Sequence, residues 1–309
     1  MIKILSIPFF LLAFSTVIHA DSLCVDKQVR LQVLGSGGPE LDDKRASSSY
    51  VIWMDDKALV LVDSGAGSSL NFEKAGAKIE DLEAVVFTHL HVDHSADLPA
   101  FIKAAFFTSR DLDLPIYGPA GNELMPATSV FVQNLLGDQG AFRYLNNYVN
   151  SSEESSFHLQ TYDVPLNQHK VQTYQLTKNL SLGAISVHHG PVSAIAWRVN
   201  ILDCSITFSG DMNNNYQTLA VLAKDTDILV MNNAIPEAEE GVATKLHMRP
   251  SEIGKIAGTA NVKRVVLSHR MLRTLGKEQE TKQYIKQYYS GPVVFADDMD
   301  VFTLKSQYQ

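Results

Sequence analysis

The chain has 309 residues, 45% of them hydrophobic and 19% charged, which excludes extended disorder, a collagen repeat and a coiled-coil rod. Its 26 Lys and Arg against 34 Asp and Glu give a formal charge of −8, so the broad basic footprint of a nucleic-acid binder is missing. The length suits one large domain or two small ones, with a sizeable core in either case.

Residues 1–20 read as a secretory signal peptide. Lys3 supplies a basic start, 4–18 an apolar centre with Phe9, Phe10, Leu11 and Leu12, and Ala20 a small residue ahead of the cleavage point. The apolar run is shorter than the roughly 20 residues of a membrane span. A mature chain of 21–309, periplasmic or secreted and free of the membrane, is expected. Cys24 and Cys204 can pair in an oxidising compartment. Cys204 lies in the apolar-rich stretch 200–206, however, and a buried thiol is the plainer reading.

The first strand is expected over 29–34, where alternating apolar residues run into the breaker Gly35-Ser36-Gly37-Gly38-Pro39. Residues 50–54 and 59–62 predict a hairpin turning at Asp55-Asp56-Lys57, and 84–87 a buried strand. A helix fits 97–107. The stretch 121–177 is less regular, with a helix over 123–136, and reads as a cap or insertion over a cleft. Strands are expected again at 184–187, 195–201, 206–208 and 228–231. A helix starts at Ser251 behind Pro250, followed by a strand at 263–267, a helix at 277–289 and a strand at 292–295. Two batches of strands, each followed by helices, predict two sheets covered by helices in a single domain.

The chemistry concentrates in Thr88-His89-Leu90-His91-Val92-Asp93-His94. Three imidazoles and a carboxylate within six positions form a ligand set for zinc or a neighbouring first-row metal. Residues two apart at a strand end can face the same way, so His89 and His91 can grip one ion, while Asp93 and His94 face a second. Further candidates follow other apolar runs: His188 or His189, Asp211, and His269, with His247 in a less regular stretch.

These residues carry a resemblance. The chain resembles the metallo-β-lactamase fold superfamily, in the branch that includes ribonuclease Z and bacterial arylsulfatase. The resemblance rests on Leu34 to Gly38, Val62 to Gly67, the 89–94 cluster, His189-Gly190-Pro191, Ala196-Trp197-Arg198, Ser209-Gly210-Asp211 and Leu267-Ser268-His269, in that order. It implies an αββα four-layer sandwich of two mixed sheets. It further implies that His89, His91 and His189 hold one cation, that Asp93, His94 and His269 hold the other, and that Asp211 bridges. Asp63 would orient the cluster. Two divalent ions, zinc by default with manganese or iron as alternatives, would share a hydroxide that attacks a phosphodiester or sulfate ester.

Asp93 and His247 are the candidate catalytic groups, His247 as proton donor to the leaving group. The His-Glu pair that the branch carries after the preceding strand is replaced by Asn232-Asn233, so His247 lacks its usual carboxylate partner unless Glu237 or Glu239 replaces it. The exported, acidic chain without a basic arm points to a small-molecule ester and away from nucleic acid, with a homodimer compatible. A lactonase, a β-lactamase-type hydrolase and a metal-binding relic without turnover are the competing readings. Phe142, Arg143, Tyr144 and Tyr148 are candidates for lining a substrate pocket, with core packing the commoner role of such aromatics.

Overall fold

The computed structural model describes residues 23–152, 154–166 and 169–304; the expected signal peptide lies outside them. Among these described residues, fourteen strands form two mixed sheets of seven. They are β1 (Arg30–Gly35), β2 (Ser49–Met54), β3 (Lys57–Val62), β4 (Ala84–Val86), β5 (Leu114–Pro119), β6 (Leu159–Val164), β7 (Gln172–Thr177), β8 (Leu180–His189), β9 (Val192–Ile201), β10 (Cys204–Phe208), β11 (Ile228–Asn232), β12 (Val265–Ser268), β13 (Val293–Phe295) and β14 (Val301–Thr303). The first sheet runs β14-β1-β2-β3-β4-β5-β6 and the second β13-β12-β11-β10-β9-β8-β7. In each sheet antiparallel pairing gives way to parallel pairing part way across, at β3–β4 in the first and β10–β11 in the second.

The alternation of side chains explains the layering. In β2, Tyr50 and Ile52 point between the sheets, while Val51 and Trp53 point outward beneath the helices of the first half. In β9, Ile195, Trp197, Val199 and Ile201 fill the same inner layer, and Ala194 and Ala196 face the outer helices of the second half. Strands covered on both faces must be apolar throughout, which is why 84–87 and 228–231 read as uninterrupted apolar runs. The four-layer sandwich is the expected fold.

Several elements differ from the sequence reading. The helix expected from 123 begins at Thr128, because Pro126 lies just upstream and Asn122 caps the preceding turn, accepting from the Leu124 and Met125 amides. The 121–177 stretch is woven into both sheets, since β6 closes one edge and β7 the corresponding edge of the other. The cysteines depart from the plainer reading: Cys24, on the short helix Leu23–Asp26, is disulfide-bonded to Cys204 at the start of β10, with Cα atoms 6.1 Å apart. No helix among the described residues is long and apolar enough to cross a membrane.

Candidate metal centre

The ligand candidates converge at one edge of the sandwich because each follows the end of a strand. Asp63 follows β3, Thr88 and His89 lie just past β4, His189 ends β8, Asp211 lies three residues past β10, and His269 follows β12. The short helix Val92–Ser95 carries Asp93 and His94. The two sheets are fastened together here: Trp197, fully buried, donates from Nε1 to the Phe87 carbonyl at 2.8 Å. The Ile195 amide donates to the Thr88 carbonyl at 2.9 Å.

The donor atoms form two groups. Those of His89, His91, His189 and Asp211 lie within 4.8 Å of one another, and so do those of Asp93, His94 and His269. Asp211 joins the groups. Its Oδ2 lies 3.9 Å from His89 Nε2 and 3.7 Å from His189 Nε2. Its Oδ1 lies 3.8 Å from His94 Nε2 and 3.4 Å from His269 Nε2. Asp93 Oδ2 stands 3.2 Å from His269 Nε2 and 3.6 Å from His94 Nε2.

Outer contacts aim the rings. The Asp63 carboxylate accepts from the Thr88 amide at 2.7 Å, from Thr88 Oγ1 at 2.8 Å and from His94 Nδ1 at 2.8 Å. Thr88 Oγ1 lies 3.1 Å from His89 Nδ1, and His189 Nδ1 donates to the Leu246 carbonyl at 2.8 Å. Each bond fixes one ring nitrogen as donor and turns the other inward as a lone pair, the arrangement that metal-ligating imidazoles require. Asp63 and His269 both sit at positive φ, 56° and 50°, the kind of backbone strain that persists at functional sites. At Gly38, a Cβ would come 2.7 Å from His269 Cε1, so only glycine lets the first loop back that ring.

This donor set fits divalent cations. His94 Nε2 and His189 Nε2 are buried without a hydrogen-bond partner, a cost that a native structure does not leave uncompensated. His89 Nε2 and His91 Nδ1 approach to 3.1 Å, as two nitrogens directed at one ion would. Burial, and next the neighbouring His94, hold His89 well below the usual imidazole range; burial and the facing histidines also lower His91 and His189. These three are neutral and ready to ligate. Burial disfavours the charge on His94, but Asp63 and Asp93 outweigh it and raise the group to about 9. Burial also opposes ionised Asp93, and His94 and His269 overcome it, bringing that carboxyl down to about 2.

His188, the neighbour and competitor of His189, points to the opposite side of the strand end. It pairs with Asn213 Oδ1 at 3.0 Å and packs on Tyr216. His247 does reach the cluster, with Nδ1 3.8 Å from Asp211 Oδ2. Burial and next Asp211 act on it in opposite senses, and with the facing His269 and His189 the group falls to about 4. Glu237 does not serve it, because that carboxylate accepts from the Ser251 amide and hydroxyl at 2.8 and 2.6 Å. Tyr148 belongs to the core against Phe157, and the exposed Tyr144 lies beside Lys103. Sequence reasoning missed Thr88 and Gly38; the first is a plain strand-end residue and the second one glycine among several.

The fold and the paired ligand groups define a class. The chain belongs to the metallo-beta-lactamase superfamily, whose model matches residues 42–247. A ribonuclease Z from Thermobifida fusca is 27% identical over 299 residues, covering 87% of this chain and 92% of that protein. Among solved structures, a metallo-beta-lactamase fold protein from Bacillus subtilis superposes with TM-score 0.68 at 20% identity, covering 90% of this chain and 99% of that one. The human short-form tRNase Z gives TM-score 0.68 at 19% identity, covering 90% and 100%. That superfamily is one of metal-dependent hydrolases, and the curated relatives of this chain include ribonuclease Z proteins.

Proposed function

We propose that this protein is an exported phosphodiesterase that uses two divalent cations, zinc by default. The observation that carries the reading is Asp211, whose two carboxylate oxygens face separate ligand groups. His89, His91 and His189 would hold one ion and Asp93, His94 and His269 the other, with Asp211 shared between them. When bound, such a pair supplies a water acidified toward neutral pH as nucleophile and neutralises charge building on the reacting oxygens.

The chain's own residues do the rest. Asp63 and Thr88 hold the rings in register, and Trp197 keeps the two sheets from parting at the cleft. His247, with Nδ1 3.8 Å from Asp211 Oδ2 and its ring beside His189 and His269, is the candidate for passing a proton to a leaving oxygen; lowered to about 4, it would have to take up a proton before passing one on. The substrate is a phosphodiester. The curated relative is named ribonuclease Z, which brings RNA back as a substrate to test despite the acid surplus. Sulfate esters and lactones are the alternatives.

Export is supported by the Cys24–Cys204 disulfide, since such bonds persist in oxidising compartments. The test is a substrate panel on protein of measured metal content: bis(p-nitrophenyl) phosphate, a short RNA, p-nitrophenyl sulfate, a lactone and nitrocefin. Turnover of a phosphodiester that disappears on chelation and returns with zinc or manganese supports the reading. Two bound equivalents without phosphodiester turnover overturn it.

A further inference from the structure

Asn232 occupies the position where the resemblance places a histidine. It is the last residue of β11, the strand between β10 and β12, and it lies in register with Ser268, the residue before His269. The strand thus sets Asn232 between the two segments that deliver Asp211 and His269. The side chain is 5% exposed. Its Nδ2 donates to Asp211 Oδ1, the oxygen that faces His94 and His269. Its backbone amide donates to Ser209 Oγ at 3.3 Å, two residues before Asp211. Backbone and side chain therefore both act on the segment carrying the shared carboxylate.

We propose that Asn232 is a positioning residue that keeps Asp211 in its bridging orientation and so secures the cation at Asp93, His94 and His269. The inference rests on the two-cation reading above. A carboxylate between two cations can either bridge or rotate and chelate one of them. The Asn232 amide occupies one lone-pair direction of Oδ1, which leaves that oxygen a single direction for a cation. Chelation of one ion by both oxygens would break this bond and bury an unpartnered amide. The donor is also uncharged and cannot compete with the cations, as a protonated histidine in the same place would. Partners of this kind typically change metal affinity by about 10- to 100-fold when removed.

The test is a metal titration against a chromogenic chelator for wild type, Asn232→Ala and Asn232→Leu. Asn232→Leu has nearly the same shape with neither donor nor charge, so it reads the donor even where the alanine variant fails to fold. In both variants the first equivalent should bind as in wild type, and the second should weaken by about 10- to 100-fold. Phosphodiester kcat should fall alongside and recover when the free cation is raised, a rescue that a merely structural role would not show. Second-site affinity within twofold of wild type in a folded variant overturns the proposal. So does equal weakening of both sites. A wild type that binds no cation would instead overturn the two-cation reading itself.

Discussion

Asp63 and His94 are joined at 2.8 Å across 31 positions of sequence, with Thr88 donating to the same carboxylate oxygen. The carboxylate selects which His94 nitrogen points inward. Asp63→Asn removes the negative charge but keeps the size, and its amide can present a donor to a donor. Cation affinity at the Asp93, His94 and His269 group should fall by about 10- to 100-fold, read as lost metal by elemental analysis after dialysis. Unchanged occupancy would show that His94 orients itself.

Cation loading should release protons. At neutral pH His94, raised to about 9 by Asp63 and Asp93 against the effect of burial, carries a proton in the metal-free protein. Ligating imidazole must be neutral, so that proton leaves on binding, and affinity falls as the pH is lowered. Calorimetry in buffers of different ionisation enthalpy should show net proton release near pH 7, with the amount decreasing as the pH is raised past 9. Buffer-independent heats would refute this.

His247→Ala should discriminate between leaving groups. A poor leaving group needs a proton from the enzyme, so its kcat should drop by about 10²–10⁴-fold. A p-nitrophenolate leaves unaided and should lose far less. An equal loss for both would make His247 a binding or structural group.

The disulfide joins positions 180 apart. Opening a loop of that length typically costs a small domain about 2–5 kcal/mol. Cys204→Ala, or reduction of the wild type, should lower the melting temperature, and the intact mass of the untreated protein should be two hydrogens short of the thiol form. Protein purified from an oxidising compartment with both thiols free would count against the bond and against export.

Much of the centre was legible because its ligands follow strands that read as apolar runs: Val86 before the 89–94 cluster, Phe208 before Asp211, Leu267 before His269. Of the strands that escaped notice, Val301–Thr303 is only three residues long and three others are polar or interrupted. Leu114–Pro119 contains two prolines and glycine, Leu159–Val164 exposes Gln160 and Asp163, and Gln172–Thr177 lies at a sheet edge with water on one side. Edge positions bury too little to leave a clear pattern. The cysteine pairing was open for a different reason. Nothing near Cys24 in sequence reports what β10 will bring alongside it. The same holds for Asn232, whose importance lies in a hydrogen bond to a residue on the neighbouring strand.

The seven donors are spread from His89 to His269, and those past β7 are supplied by the second sheet. A nascent polypeptide, whether leaving a ribosome or crossing a translocation pore, therefore carries an incomplete set of donors until His269 has emerged. The histidines nearest the front must wait for the final fifth of the chain before both pockets are whole. Full cation capture is thereby a late event, a built-in report that the two sheets have docked.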